Sequence, residues 1–279
     1  MRVNETCAAC LYDKQKTRSN DPAYLESVRR IIDQRRESDT SPYLVYLFNQ
    51  AYEKQFGPGS SYAEIKKQFN DLVLSMEERI REIIETSPDP LAASMVYARI
   101  GNYIDYGAMN HVDEKTFLSL FEDTSLSSHD RQVLDSLISQ CKQADRFLLI
   151  ADNCGEIVLD KLFLEQLKKQ FPHLHLTVMV RGGEVLNDAT EEDAACSGIS
   201  DIAEVISNGT TVAGTIYDMI SEGAKTALDR ADVILAKGQG NYESLCGQGR
   251  HIFYSFLCKC GLFTERFQVP KLTGMLVEE

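Results

Sequence analysis

The fold is decided by the sequence FLLIADNCGE, residues 147–156. Its first five residues, 147–151, form an unbroken apolar run, which is typical of a strand buried on both faces. The polar and glycine residues that follow are typical of a loop, and helical spacing of apolar residues then continues to Gln170. This order of strand, loop and helix predicts the first half of a βαβ unit.

The same alternation continues toward the end of the chain. Apolar runs recur at 175–180, 202–206, 233–236 and 251–254, and residues 215–229 are predicted to form a helix. Strands that alternate with helices predict an α/β fold with a Rossmann-like, mainly parallel sheet and helices on both faces. Sheets of this kind bind ligands at the carboxyl ends of their strands.

The first half of the chain has a different pattern. Apolar residues between 21 and 144 recur at helical spacing, with no strand pattern among them. Turn chemistry interrupts them at GPG 57–59, at SPDP 87–90 and at DTS 123–125. We therefore predict an N-terminal helical bundle domain, residues 1–144, followed by an α/β domain, residues 145–279.

Composition limits the classes of partner. The 279 residues are 43% hydrophobic and 25% charged, which is ordinary for a globular protein, and the net charge of −13 argues against nucleic acid and anionic membranes. The N-terminus has no apolar signal segment, no run approaches the roughly 20 residues that span a bilayer, and eight cysteines are too few for a disulfide scaffold. We expect a cytoplasmic protein with a small-molecule partner, and the oligomeric state stays open.

Polar residues accumulate directly after each predicted strand. Because the carboxyl ends of parallel strands meet at one edge of the sheet, these residues are expected to converge. The four segments are DNCGE 152–156, RGG 181–183 with Asn187 and Asp188, SNGTT 207–211, and KGQGN 237–241.

Three of these residues predict a metal site. Asp152, Asn153 and Asp188 offer two carboxylates and one amide oxygen, a hard donor set that suits Mg²⁺ or Mn²⁺ with water in the remaining positions. Asp and Asn after a strand are also common helix N-caps, and Asp188 could cap a helix that begins near Thr190. Their combination favours the metal site.

The other polar residues predict a phosphate site. Lys237, directly after an apolar strand, would bring a positive charge to an anion. Gly155, Gly209 and Gly238 would let backbone N–H groups approach a phosphate at helix N-termini. A metal with oxygen ligands, together with a lysine and backbone amides, is typical of phosphoryl chemistry.

Together these motifs resemble those of the damage-control phosphatases, formerly the domain of unknown function 89 family. The Cys7-x-x-Cys10 pair and GNYID 101–105 resemble the microbial branch of that family, so the likeness covers nearly the whole chain. The matching motifs, which occur in the family's order, are DNxGE 152–156, RGG 181–183, NDAT 187–190 and KGQGNYE 237–243.

The resemblance implies a helical N-terminal domain packed on a Rossmann-like core, and a phosphatase that hydrolyses small phosphorylated metabolites such as sugar phosphates or damaged phosphometabolites. It implies Asp152, Asn153 and Asp188 as ligands of Mn²⁺, Mg²⁺, Co²⁺ or Ni²⁺. Asp152, Asn153 and Lys237 would be the catalytic residues, with Lys237 as phosphate anchor. The expected substrate-binding residues are Gly155, Glu156, Asn208, Gly209, Thr210, Lys237 and Asn241.

Alternatives to this function and mechanism stay open. Either water or the Asp152 carboxylate could attack phosphorus. A non-enzymatic sensor of phosphometabolites would keep the same residues without turnover. A nucleotide-dependent oxidoreductase is the weaker alternative, because no Gly-x-Gly-x-x-Gly follows the first strand.

Two further motifs have more than one interpretation. Cys7 and Cys10 have the spacing of a redox pair or of half a metal site, which Cys258 and Cys260 could complete only through the fold. We favour a structural or incidental metal-binding role for them. Asn102 and Asp105 lie on one helix face, which either closes over the active site or faces solvent.

Overall fold

The computed structural model describes residues 1–104, 119, 121 and 125–279. The helices described before the sheet are α1 Glu5–Arg18, α2 Pro22–Asp33, α3 Ser41–Phe56, α4 Ala63–Thr86, α5 Pro90–Gly101 and α6 Ser128–Cys141. The predicted breaks at 57–59 and 87–90 separate α3 from α4 and α4 from α5, whereas most of the break at 123–125 lies outside the described residues.

The second half forms a six-stranded sheet with the order β3-β2-β1-β4-β5-β6. The first five strands in this order are mutually parallel, and β6 is antiparallel to β5. This confirms the predicted α/β class with a mainly parallel, Rossmann-like sheet. The elements are β1 Arg146–Ile150, α7 Glu156–Gln170, β2 His175–Val180, α8 Glu191–Ser197, β3 Glu204–Ser207, α9 Glu222–Arg230, β4 Val233–Lys237, α10 Gly238–Leu245, β5 Phe253–Leu257, α11 Gly261–Phe267 and β6 Gly274–Glu278.

Three predicted starts are wrong, and strand β6, Gly274–Glu278, was not predicted. The helix predicted at 215–229 begins only at Glu222, because Ser221 caps it by accepting a hydrogen bond from the backbone N–H of Ala224 at 3.2 Å. Ile216 and Ile220 have helical spacing but precede that cap and lie outside the helix. Strands β3 and β5 each start two residues later than the apolar runs at 202 and 251 suggested.

Helices cover both faces of the sheet. Phe147 and Leu149 of β1 pack in one core with α5, α6 and α7, whereas Leu148 and Ile150 pack in a second core with α9, α10 and α11. The first core continues across the predicted boundary at residue 144, while α1, α2 and α3 enclose a cluster of their own. The division into two domains at 144/145 therefore stays a prediction. No helix among the described residues has the length and apolar character to cross a membrane.

Candidate active site

The loops after β1 and β2 are joined at the carboxyl edge of the sheet. Asn153 and Asp188 form an isolated antiparallel bridge, and the backbone N–H of Ala189 donates to the carbonyl of Asp152 at 2.8 Å. Because β1 lies between β2 and β4, this edge is the switch point of the sheet, where parallel α/β folds bind ligands. Asp152 and Asp188 are therefore brought to the same edge of the sheet.

A pocket of about 150 Å³, which we call the inner pocket, opens above these residues. Asp152, Asn153 and Asp188 form its acidic side, and the first turn of α10 contributes Gln239 and Gly240. Helices α1 and α3 form the opposite wall. Their lining residues are Cys7, Cys10, Leu11, Lys14, Ser41, Pro42 and Val45, and the remaining ones are Leu186, Ala213, Glu243 and Cys260.

Arg181, at the end of β2, connects the two carboxylates. It is only 1% exposed; its Nε donates to Asp188 Oδ2 at 2.6 Å, and one terminal nitrogen lies 3.6 Å from Asp152 Oδ1. The same guanidinium is held from behind by Asn241 and Thr215. A buried guanidinium between two carboxylates balances their charge and fixes their orientation.

Two amides hold the other oxygen of Asp152. Asn102 and Asn153 donate to Asp152 Oδ2 at 2.9 and 2.8 Å, and both also donate to Glu156 Oε2. Asn102 is fully buried at the end of α5, so the helix face that carries it does contact the site. Asp105, the other residue of that face, lies outside the described residues.

Lys237 does not line the inner pocket. Its side chain is fully buried, and its Nζ lies 2.5 Å from Asp160 Oδ1, 2.8 Å from Glu156 Oε1 and 2.9 Å from the carbonyl oxygen of Ala98. Three acceptors surround an ammonium group that has three N–H donors. Lys237, the predicted phosphate anchor, thus lies in a buried ion cluster beneath the site. Its positive charge is paired with the carboxylates of Glu156 and Asp160 on α7.

Burial and charge oppose each other in this ion cluster. Burial raises the pKa of Asp160 to about 7, although Lys237 acts to lower it. Burial alone would lower the pKa of Lys237, but Asp160 and Glu156 outweigh it and raise that pKa. The positive charge of buried Lys237 is therefore stabilised by its two acidic neighbours.

The remaining predicted substrate-binding residues support the loops rather than line the inner pocket. Asn208 is fully buried, and its Oδ1 accepts from the backbone N–H groups of Gly182 at 3.0 Å and Thr210 at 2.9 Å. Gly155 donates its N–H to Asn70 Oδ1 at 2.6 Å, and Asn241 donates to the carbonyls of Ala151 and Lys237. Glu156 is enclosed with Lys237, and Gly209 lies in the loop that Asn208 holds.

The capping alternatives are decided by the hydrogen bonds. Thr190 is the N-cap of α8 and forms a capping box with Asp193, so Asp188 is not a cap there. Gly155 occupies the N-cap position of α7 and offers no side chain. The carboxylates of Asp152 and Asp188 border the pocket and do not cap these helices.

The cysteines are free thiols, and three of them line the inner pocket. Cys7, Cys10 and Cys260 face it, whereas Cys258 is fully buried elsewhere. Cys7 Sγ lies 3.2 Å from Ser41 Oγ, and burial raises its pKa to about 11. Within residues 1–104, 119, 121 and 125–279, no three His, Cys, Asp or Glu side chains form a metal-binding group, so no zinc site formed by the cysteines is present there.

The donor set of Asp152, Asn153 and Asp188 fits a hard divalent cation. It contains two carboxylates and an amide that border one pocket, and the bridge between Asn153 and Asp188 fixes the two loops that carry them. Mg²⁺ and Mn²⁺ are commonly held by one or two carboxylates, with water and substrate oxygens in the other positions.

Sequence reasoning missed the roles of Arg181 and Asp160. In the sequence, Arg181 belongs to the RGG 181–183 strand end, and the signal for its role is a charged residue directly after an apolar strand. Asp160 lies four residues after Glu156 on a helix whose neighbouring positions are apolar. Two acids on one face of a buried helix require a buried cation.

Together, the fold and the inner pocket define an α/β protein with a polar pocket at the switch point of a mainly parallel sheet. Residues 3–273 match the family described as the damage-control phosphatase ARMT1-like domain. The chain therefore belongs to the damage-control phosphatase ARMT1-like family. The microbial branch suggested by Cys7-x-x-Cys10 stays a prediction.

Known relatives and a solved structure agree with this membership. A damage-control phosphatase from Archaeoglobus fulgidus is 29% identical over 93% of each chain. One from Pyrococcus horikoshii is 29% identical over 83% of this chain and 78% of its own length. The crystal structure of a domain of unknown function 89 protein from P. horikoshii, 23% identical, has a TM-score of 0.80 over 100% of this chain and 99% of that one, which supports the fold.

Proposed function

We propose that this protein is a divalent-metal-dependent phosphatase that hydrolyses phosphomonoesters of small metabolites, sugar phosphates among them. The observation that carries the proposal is the meeting of Asp152, Asn153 and Asp188 at one pocket on the switch point of the sheet. Membership in a family whose relatives are named damage-control phosphatases supports phosphatase chemistry.

Asp152, Asn153 and Asp188 would hold the cation, which could be Mn²⁺, Mg²⁺, Co²⁺ or Ni²⁺. When bound, it would supply positive charge to the phosphate oxygens. Arg181 orients both carboxylates, and Asn102 fixes Asp152 from the helical side. The donor atoms are thereby held before any ligand arrives, which reduces the reorganisation needed during the reaction.

The first turn of α10 is a favourable place for the phosphate. The helix begins at Gly238 beside Asp152, and Gln239 and Gly240 border the inner pocket. The N-terminus of a helix carries partial positive charge and unpaired N–H groups, both of which favour an anion. In this proposal the first turn of α10 takes the phosphate-binding role that the sequence suggested for Lys237.

Phosphate release tests the proposal. The protein is first stripped with EDTA and then assayed with p-nitrophenyl phosphate and a panel of sugar phosphates, with and without each of the four cations. We expect no release after EDTA and recovery with at least one cation. Asp188→Asn should lower kcat/KM by about 100-fold and weaken cation binding measured by calorimetry. The reason is that Asp188 is both a proposed cation ligand and the hydrogen-bond acceptor of Arg181.

The matched control is Asp33→Asn, an exposed aspartate at the end of α2. It should keep both activity and cation binding. Wild-type activity in EDTA, or an Asp188→Asn protein that binds the cation tightly, would contradict the metal assignment. Binding of sugar phosphates without any turnover would favour the sensor.

A further inference from the structure

A second cavity adjoins the inner pocket. Its volume is about 430 Å³, and we call it the outer cavity. Four residues line both spaces: Leu11, Lys14, Val45 and Leu186. The two spaces are therefore neighbours that share these four side chains. Asp152 and Asp188 border the inner one, and α1, α3 and the loops at 58–62 and 184–186 border the outer one.

The sizes of the two spaces indicate different occupants. The inner pocket, about 150 Å³, has room for a phosphate group and the first atoms attached to it. Sites that bind small metabolites usually measure about 300–1,000 Å³. The outer cavity falls in that range, so the larger part of a substrate would lie in it.

The wall of the outer cavity is preformed. Glu184 accepts hydrogen bonds from Ser61 Oγ at 2.9 Å and from the backbone N–H of Tyr62 at 3.0 Å, which ties the two loops together. Leu186, in the wall shared with the inner pocket, has a φ of 50°, a conformation that non-glycine residues rarely adopt. Strained backbone of this kind is concentrated at ligand sites.

Polar and charged side chains line the outer cavity. Gln15, Thr17, Asn49 and Ser60 offer hydrogen-bonding groups that suit hydroxyls. Arg18 is fixed, since it donates to Asn49 Oδ1 at 2.7 Å and stacks over the Tyr52 ring at 3.9 Å. A hydroxylated ligand fits this lining better than an apolar one.

Lys14 lies at the junction of the two spaces. The described residues that line the inner pocket include three acids, Asp152, Asp188 and Glu243, and Lys14 is the one basic side chain among them. A lysine ammonium is a compact charge on a flexible stem, which suits an anionic group whose position varies between ligands.

We propose that the outer cavity is a substrate subsite for a polyhydroxylated arm that carries a second anionic group, and that Lys14 selects for that group. The inference rests on the proposed phosphatase function. It predicts that bisphosphorylated sugars are better substrates than their monophosphorylated counterparts.

The test compares glucose 1,6-bisphosphate with glucose 6-phosphate, which differ in one phosphate group. Wild-type kcat/KM should favour the bisphosphate by about tenfold or more, as expected for one charge-assisted contact. Lys14→Met should reduce that ratio to about one. Lys16→Met, on the same helix but exposed and paired with Asp13, is the matched control and should keep the wild-type ratio.

A second variant fills the outer cavity without changing charge. Thr17→Trp, at an exposed position of α1, should lower kcat/KM for glucose 1,6-bisphosphate about tenfold more than for p-nitrophenyl phosphate, which has no sugar arm. Circular dichroism verifies that each variant is folded. Equal wild-type rates for the two sugars, or an unchanged ratio in Lys14→Met, would overturn the subsite.

Failure of the subsite and failure of the phosphatase function can be distinguished. Hydrolysis of p-nitrophenyl phosphate reports on the phosphatase function alone. If that hydrolysis is absent, calorimetric binding of glucose 1,6-bisphosphate to the wild-type and Lys14→Met proteins still tests the subsite: weaker binding by the variant supports it, and equal binding refutes it.

Discussion

Gly238 lies directly against the carboxylate of Asp152. A Cβ atom at Gly238 would stand 1.9 Å from Asp152 Oδ2, far inside van der Waals contact, and the φ of this glycine is +78°. The absence of a side chain at the start of α10 is therefore what allows the carboxylate to approach the positive end of that helix.

Gly238→Ala should inactivate the protein. The added methyl group must displace the Asp152 carboxylate, and misplacement of a reacting group by about 1 Å can cost roughly 100-fold in rate. We expect a loss of that size in kcat for p-nitrophenyl phosphate. Gly247→Ala is the matched control, because Gly247 has a φ of +75° but its Cβ would meet nothing within 4 Å. Equal activity of the two variants would contradict a steric role for the missing side chain at Gly238.

Lys237→Met should unfold the protein more easily rather than weaken substrate binding. It leaves Glu156 and Asp160 buried without their cation, and breaking a buried ion pair costs about 3–5 kcal/mol. Urea denaturation measures the change in the free energy of unfolding. Adding Asp160→Asn should recover part of it, since one of the two uncompensated charges is removed.

The control for Lys237→Met is Lys271→Met, at an exposed lysine, which should change stability by less than about 0.5 kcal/mol. A Lys237→Met protein of normal stability with a raised KM would instead restore the phosphate anchor that the sequence suggested.

Asn102→Ala should weaken cation binding. Asn102 donates to both Asp152 Oδ2 and Glu156 Oε2, and loss of such outer partners typically costs 10- to 100-fold in metal affinity or activity. Titration calorimetry with Mn²⁺ measures the affinity. Asn20→Ala, at an exposed position, is the matched control and should keep the wild-type affinity for Mn²⁺. An unchanged affinity for Asn102→Ala would mean that Asn153 alone holds Asp152.

Cys7 should react slowly with iodoacetamide at neutral pH. Burial raises the pKa of its thiol to about 11, so the reactive thiolate fraction at pH 8 is about one in a thousand and rises about tenfold per pH unit up to that pKa. Mass spectrometry after labelling at pH 7, 8 and 9 follows the reaction. Exposed Cys10, one turn away on α1, should be labelled first. Equal labelling of the two at pH 7 would rule out the raised pKa.

Local patterns were enough to predict the fold class and the edge of the sheet that carries the site. Strand β2 at 175–180 and helix α7 at 156–170 have the predicted bounds, because an apolar run and a 3.6-residue spacing are properties of neighbouring residues. The edge that carries the candidate site follows from strand direction alone, because Asp152, Asn153 and Asp188 all come after the carboxyl ends of parallel strands.

The sequence by itself determined which residues carry oxygen donors at the end of each parallel strand. The tertiary structure decided which charges face the pocket. Lys237, at the end of β4, is enclosed because Asp160 and Glu156 of α7 reach it, and Lys14 borders the site because α1 packs over it. Charge pairing and cavity shape depend on contacts between residues that are far apart in the chain, and a local sequence pattern does not predict such contacts.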